Sequence, residues 1–408
     1  MTDSSSRRVG ERRSYISGIG QSVVGRRLEL SEMELTMQSA LEAIADAGLR
    51  PEDIDGLSTY PGGGRGTSSG GFGGPGATDV IDALGLNVDW YSGSMEGAAQ
   101  LQAVVNACMA IATGLARHVL VYRTVTESTA QGSGGRQGIG VGSSGMGRAG
   151  VPGPMQYLIP FGAMSAVDWL AFSARYHFDR FGLTREKLGQ IALSNRRNAG
   201  LNPKAVLRDP MTLDDYLSAR MIADPLCLYD CDIPCDGSTA LVISDVDTAA
   251  DAAKTPVQIH AVGTAVRGRP SWDQWEDLAT FPGRGPATQL WQRADLKPSD
   301  VDIAELYDGF SMITVLWLEA LGFCPTGGAG DFLDGGKRIA LDGELPLNTN
   351  GGQLSGGRLH GFGLIHEAVV QLRGEGGERQ VPGRHEVAAV ANGAGFTAGC
   401  MLLTRGLA

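Results

Sequence analysis

The sequence predicts an α/β fold made of two duplicated halves with an insertion between them, and three observations predict it. The first is a long-range repeat. Residues 41–57 read LEAIADAGLRPEDIDGL and residues 290–306 read LWQRADLKPSDVDIAEL; aligned on Leu49 and Leu296, the copies stand 247 positions apart (296 − 49 = 247). The second is a matching pair of helix-strand units. A long small-residue helix over 97–114 leads into the apolar run HVLVY at 118–122, and a similar helix opening at Gly361 (FGLIHEAVVQLRG) leads into an apolar run at 386–390. The third is the alternation of helical and short apolar extended segments along both halves, the pattern of α/β layers.

Residues 1–13, rich in Ser and Arg with no apolar core behind them, read as a mobile tail rather than a secretory signal. The N-terminal half follows, over 14–123 with a returning piece at about 236–250. In each copy of the repeat an amphipathic helix ends, Pro51 or Pro298 stops its continuation, and an Ile/Val-Asp pair begins the next extended run. The insertion spans 124–235. It opens with a Gly/Ser/Arg-rich loop over 124–154 and continues with helical segments at 163–181, 184–199 and 213–218. A loop of that length is either a cover over a binding site or a flexible surface segment. A second glycine-rich stretch covers 62–76; neither stretch ends in the Gly-Lys-Ser/Thr of a phosphate-binding loop. The C-terminal half covers 251–408.

Composition narrows the function. A formal charge of −11 disfavours nucleic acid and anionic membranes as general partners. The longest apolar run, 313–321, falls far short of the roughly 18–20 residues that span a bilayer. The six cysteines are scattered, so a disulfide framework is not expected. Cys227, Cys231 and Cys235 lack the C-x-x-C hairpin of a zinc ribbon, and no metal is expected. A cytoplasmic location fits these features.

Five short motifs carry the chemistry. The first is YSGSMEGAAQ at 91–100, opening the small-residue helix; it contains Glu96, and no cysteine stands between Tyr91 and Ala107. The second, CDIPCDGSTALVIS at 231–244, reads as a tight turn at Asp236-Gly237 before an apolar strand. The third is AELYDGFS at 304–311, with Tyr307 and Asp308. The fourth is NTNGGQLSGGRLHGFG at 348–363, with Arg358, His360 and glycines 351, 352, 356, 357 and 361. The fifth is ANGAGFTAG at 391–399, followed by Cys400.

In this order and spacing the motifs resemble those of the thiolase superfamily, across essentially the whole chain after Arg13. The likeness is to the lipid-transfer group around sterol carrier protein X, and within it to the steroid side-chain-degrading aldolases. The resemblance implies the thiolase fold: duplicated βαβαβαββ halves in five layers, αβαβα, with an inserted loop domain. Both thiolase cysteines are missing. The first would sit in the 91–100 motif, where a helix N-terminus stabilises a thiolate; Glu96 stands near the vacated place, as a first-turn charge or a catalytic carboxylate. The second would fall in 391–399. Cysteine acyl transfer is therefore not expected.

What remains suits a retro-aldol cleavage, which needs a base for a β-hydroxyl, donors for a thioester enolate, and an acid for Cα. Tyr307 occupies the position that in thiolases orients a water or oxyanion, and Tyr307 with His360 forms the expected acid–base pair. Arg358, at the thiolase histidine position, would hold the enolate oxygen or depress the tyrosine pKa. Asp308 and Glu96 complete the catalytic candidates. Gly351, Gly352, Gly356, Gly357 and Gly361 would let the backbone approach the ligand. The implied substrate is a bulky, possibly steroid, β-hydroxyacyl-CoA, and the products a ketone and propionyl-CoA or acetyl-CoA. No bound cofactor is expected, CoA being part of the substrate, and a small basic pocket would serve its phosphates. Relatives of this group imply a homodimer and an OB-fold/zinc-ribbon partner protein. Two alternatives remain: an acyltransferase or Claisen-type enzyme using Ser94 or Glu96, and a lipid or acyl-CoA carrier without catalysis.

Overall fold

The computed structural model describes residues 10–62, 70–94, 97–132, 155–269, 271–272, 275, 277–395 and 397–407. Among the described residues there are eleven strands: β1 Ser14–Gln21, β2 Gly56–Thr59, β3 Trp90–Gly93, β4 His118–Thr126, β5 Met221–Ala223, β6 Leu226–Cys227, β7 Asp236–Asp245, β8 Val257–Gly263, β9 Ile303–Leu306, β10 Val387–Ala394 and β11 Thr397–Arg405. β5 and β6 form a ribbon of their own; the other nine make one sheet in the order β3-β2-β4-β7-β1-β8-β11-β10-β9.

The duplication is exact in register at its key strand. β2 begins at residue 56 and β9 at residue 303, so the offset is again 247 (303 − 56 = 247). Each runs parallel to the strand after its half's buried helix, β2 to β4 and β9 to β10. The next neighbours, β7 and β11, are antiparallel. The halves meet where β1 pairs with β8 at Tyr15↔Gln258 and Ile16↔Val257.

Alternation along the strands separates three apolar layers. In β4, Val119 and Val121 join a cluster with Val104 and Ile111 of helix Gln102–Ala112 and with Leu364 and Val369 of helix Phe362–Arg373. Leu120 and Tyr122 face the other way, onto helices Glu32–Asp46 and Ala77–Leu84. In β10, Val390 joins the shared middle cluster while Ala389 and Ala391 face the outer helices Arg284–Arg293 and Ser311–Ala320. Counting the two halves of the sheet separately, the order is helix-sheet-helix-sheet-helix, five layers, with the equivalent helices Gln102–Ala112 and Phe362–Arg373 in the middle.

Two sequence expectations shift. Of the expected tail, Gly10–Arg13 is a short 3-10 turn, with Glu11 buried and paired to Arg293 across the halves; residues 1–9 lie outside the described residues. The insertion loop starts later than Thr124. β4 continues through Thr126 because Thr124, Val125 and Thr126 pair with Ser238, Gly237 and Asp236 of β7, and a helical turn Glu127–Gln131 follows. Residues 133–154 and 63–69, most of the two glycine-rich stretches, lie outside the described residues. The insertion helices Ala166–Phe181, Arg185–Leu201 and Leu213–Ser218 stand where the sequence places them. No helix among the described residues is long and apolar enough to cross a membrane.

Candidate active site

The glycine-rich loop at 348–363 is pinned before it presents any side chain. Asn348, held at φ +47°, accepts from the Leu306 amide at 2.7 Å and donates to the Leu306 carbonyl at 2.9 Å, which locks the loop start to β9. Asp308 then accepts from the amides of Gln353 and Leu354 at 2.9 and 3.2 Å and from Asn195 Nδ2 at 2.6 Å. Asp308 is thus an anchor of the loop. Burial raises its carboxyl to about 7, against the pull of those amide donors.

The glycines serve the same packing. A Cβ on Gly352 would lie 2.1 Å from Asp308 Oδ2, and one on Gly361, at φ +79°, 2.1 Å from Asn392 Oδ1. Gly351 and Gly357 likewise sit against Ala199 and Cys235, and Gly356 against the loop's own backbone. The close approaches these glycines permit are to protein atoms, where the sequence suggested a ligand.

Arg358 and His360 leave this loop into the interior. Arg358 is 2% exposed; its amide donates to Ile233 O at 2.8 Å, its Nη2 lies 2.5 Å from Glu127 Oε2, and its Nε lies 3.7 Å from Asp232 Oδ2. His360, at φ +51°, places Nε2 3.5 Å from the same Glu127 oxygen and meets Phe72 edge-on at 4.6 Å. Burial pushes the His360 pKa down to about 4, so the imidazole is neutral near pH 7. Burial alone would raise the Glu127 carboxyl, but Arg358 and His360 outweigh it and hold the pKa at about 2. Asp232 and Glu127 keep Arg358 charged despite its burial.

Tyr307 follows β9 directly and donates its amide to Ala391 O at 2.9 Å. Its phenol is buried beside Asp232 and Arg358; burial and the Asp232 charge push its pKa well above the ordinary tyrosine value. The phenol is therefore protonated at neutral pH. Tyr307, Arg358 and His360 are brought into one cluster, with Arg358 acting electrostatically on both others. Glu96 lies outside the described residues.

Sequence reasoning missed Glu127, Asp232 and Arg123. Glu127 begins the turn after β4 and Asp232 precedes β7, so the β4–β7 pairing carries both to one end of the sheet. Arg123 points inward from β4 and is 1% exposed. The signal for the carboxylates was available: an arginine in a buried loop demands acidic partners, and the second motif holds Asp232.

Several buried polar atoms here have no hydrogen-bond partner: His360 Nδ1, Arg123 Nε and Nη2, and both side-chain polar atoms of Gln353 and of Asn392. Each such atom costs about 1–3 kcal/mol if left dry and unpaired. A cavity of about 770 Å³, within the size range of ligand sites, reaches the cluster at Asp232, the neighbour of Arg358, and its other walls include Ser128, Phe310, Tyr229, Arg26 and Arg220. Among the described residues no group of His, Cys, Asp and Glu is arranged to hold a metal ion.

No thiolate stands at the start of the middle helix. Buried Ala99, at φ +50°, occupies the strained turn before helix Gln102–Ala112 and packs on Gly393. Cys108 lies inside the helix and burial raises its thiol to about 12; Cys400 is buried in β11 and raised likewise.

Comparisons with known proteins agree with this architecture. The family model for the thiolase C-terminal domain-like unit matches residues 264–404. The chain is 35% identical over 370 residues to a steroid side-chain-cleaving aldolase of Thermomonospora curvata, covering 88% of this chain and 90% of that protein. It is 34% identical over 376 residues to the 17-hydroxy-3-oxo-4-pregnene-20-carboxyl-CoA lyase of Mycobacterium tuberculosis, covering 88% and 91%. Among solved structures, the Ltp2-ChsH2(DUF35) aldolase superposes with a TM-score of 0.84 at 32% identity, over 98% of this chain and 99% of that one. With its duplicated five-layer fold, its four retained site motifs and its missing cysteines, the chain belongs to the thiolase superfamily, in the thiolase-like group that includes the steroid side-chain-cleaving aldolases.

Proposed function

We propose that the protein is a carbon–carbon lyase that cleaves a bulky β-hydroxyacyl-CoA, of steroid type, by retro-aldol reaction. One observation carries the reading: no cysteine stands in the 91–100 motif, where the thiolase likeness places the nucleophile, while a buried cluster of Glu127, Arg358 and His360 is present. The names of the two curated relatives, an aldolase and a lyase of a steroid carboxyl-CoA, support the substrate class.

In this scheme neutral His360, oriented by Glu127, takes the proton of the β-hydroxyl. The O–H pair becomes the carbonyl π bond, the Cα–Cβ bond breaks, and its electrons pass through Cα–C1 onto the thioester oxygen. A ketone and a thioester enolate result. Tyr307, kept protonated by its burial, hydrogen-bonds the enolate and delivers a proton to Cα. The tyrosine is restored through His360, which returns the proton it took, so no net proton is consumed. Arg358, tied to Glu127 and Asp232, positions the carboxylates instead of holding the enolate.

The products are a ketone and propionyl-CoA or acetyl-CoA. The 770 Å³ cavity, where Arg26, Arg27 and Arg220 stand with apolar residues such as Val167, Leu228 and Phe310, suits a CoA thioester with a bulky acyl group. No cofactor beyond the substrate's own CoA moiety enters the scheme. A cytoplasmic homodimer working with a second polypeptide of the OB-fold/zinc-ribbon kind completes the proposal; the DUF35 component of the solved aldolase supports a partner. The test is a coupled assay with a steroid β-hydroxyacyl-CoA, with and without that partner, following ketone and short acyl-CoA. Stoichiometric release of both supports the reading. Acyl exchange onto free CoA without ketone release sinks it in favour of an acyltransferase.

A further inference from the structure

Two guanidinium groups stand in the site, and they are not equivalent. Arg358 has two carboxylates, Glu127 at 2.5 Å and Asp232 at 3.7 Å, so its charge is already answered. Arg123 forms no ion pair among the described residues. Its Nη1 donates to Tyr60 O at 3.1 Å, and its Nε and Nη2 have no hydrogen-bond partner at all. Its guanidinium carbon lies 5.3 Å from the Tyr60 ring centroid and 4.9 Å from that of Phe72.

A guanidinium in this state is costly. Taking a cation out of water is repaid only by a partner anion or a full set of acceptors, and two flanking rings return only part of that cost. The rings do something else: with the Tyr60 carbonyl they fix the plane of the fork. Phe72 also stacks edge-on against His360, so Arg123 and the imidazole share one ring as a neighbour. Glu127 and Tyr307 are near enough to act on its charge.

We propose that Arg123 is the oxyanion donor of the site, its Nε and Nη2 receiving the thioester oxygen as the enolate forms. This rests on the aldolase reading and goes beyond it by naming the group that stabilises the transition state. In the cleavage step the electron pair of the Cα–Cβ bond ends on the thioester oxygen. A fixed, desolvated cation with two open donors stabilises that oxygen more than the ground-state carbonyl, which is the condition for catalysis. Arg123 neither gains nor loses a proton, and no co-reactant is needed.

The experiment compares two unreactive probes, a CoA thioether ending in a nitroalkane, bound as its nitronate, and the matching ketone. The nitronate mimics the enolate charge; the ketone mimics the substrate carbonyl. The wild type is expected to bind the nitronate at least about 10-fold tighter. Arg123→Gln should remove that preference while leaving ketone affinity within about twofold, and should lower kcat by about 10²–10³-fold with KM little changed, the size of losing one oxyanion donor. Arg123→Lys, which keeps the charge, should retain part of the preference and remains usable if the Gln variant does not fold. Nitronate preference that survives Arg123→Gln, or that is already lost in a well-folded Arg123→Lys together with ketone binding, overturns the role. A wild type that cleaves but shows no preference overturns it too and leaves the aldolase reading standing. A wild type that neither cleaves nor binds either probe overturns the aldolase reading, and this role with it.

Discussion

One oxygen of Glu127 serves Arg358 at 2.5 Å and, 3.5 Å away on its other side, the imidazole of His360. A single carboxylate thereby fixes a charged residue and a neutral one, and the first prediction follows from it. Glu127→Gln keeps the shape and removes the charge that orients His360. Cleavage should fall about 10²-fold, the usual scale of a positioned base, while ketone-probe binding persists. Glu127→Ala should in addition lower stability by about 1–3 kcal/mol, because Arg358 keeps Asp232 but loses its nearer partner and the acceptor oxygen that Gln still offers. Kinetics and denaturant unfolding on the two variants separate these effects. Equal losses of activity and stability in the Gln variant would mean that Glu127 only supports the fold.

Tyr307→Phe should reduce cleavage by about 10²–10³-fold with melting nearly unchanged, since only a donor to the enolate is lost. Because burial and Asp232 hold the phenol protonated, the wild-type rate should not decline through ionisation of this tyrosine up to about pH 9. A basic limb near neutrality that vanishes in Tyr307→Phe would instead make the phenol a titrating base.

The pH dependence of stability is a balance of buried groups with opposite signs. His360 and His366 have folded pKa values lowered to about 4 from 6.5, so the unfolded chain binds protons first. Their contribution is full above about pH 6.5 and is lost as pH falls towards 4. Glu127, lowered to about 2 from 4.5, contributes above 4.5 and loses its part only below it. Asp308 acts oppositely: raised to about 7 from 3.8, it favours the folded state below 3.8 and loses that contribution as pH rises through 7. Glu305 and Asp230, whose carboxyls burial also raises, act in the same sense as Asp308. Between pH 7 and pH 5, His366→Gln, a change outside the site, should therefore shift the change in melting temperature towards stabilisation on acidification relative to wild type, and Asp308→Asn should shift it towards destabilisation. The same slope in all three proteins would refute the assignment.

The fold was legible because a repeat writes itself twice: the Leu-x-Pro-x-Asp punctuation at 49–53 and 296–300 marks β2 and β9 at one offset. The glycine loop and Tyr307 were legible because they are contiguous in the chain. Arg123, Glu127 and Asp232 were not, since more than a hundred residues separate the first two from the third and only the β4–β7 register joins them. Reading 124–154 as loop from its first residue also hid Glu127, which follows β4 directly. The site glycines show a related gap. Sequence shows that a Cβ is excluded at Gly352 and Gly361, but not that Asp308 and Asn392 are what exclude it.

The last prediction concerns Ala99, where two effects compete. A non-glycine residue at φ +50° carries strain of about 1–3 kcal/mol. Ala99→Gly releases that strain, against about 0.4–1 kcal/mol of added unfolded-chain entropy and the loss of one buried methyl on Gly393, worth about 0.8 kcal/mol. Relief should match or slightly exceed the losses, so Ala99→Gly should be no less stable than the parent. Ala99→Val, β-branched at the same backbone angle and pressed on Gly393, should lose at least about 2 kcal/mol. If the alanine is only the remnant of a nucleophile position, Ala99→Gly should also cleave within about twofold of wild type, and Ser94→Ala likewise. Loss of turnover in Ser94→Ala with folding intact would return the chemistry to this turn and favour the acyltransferase reading.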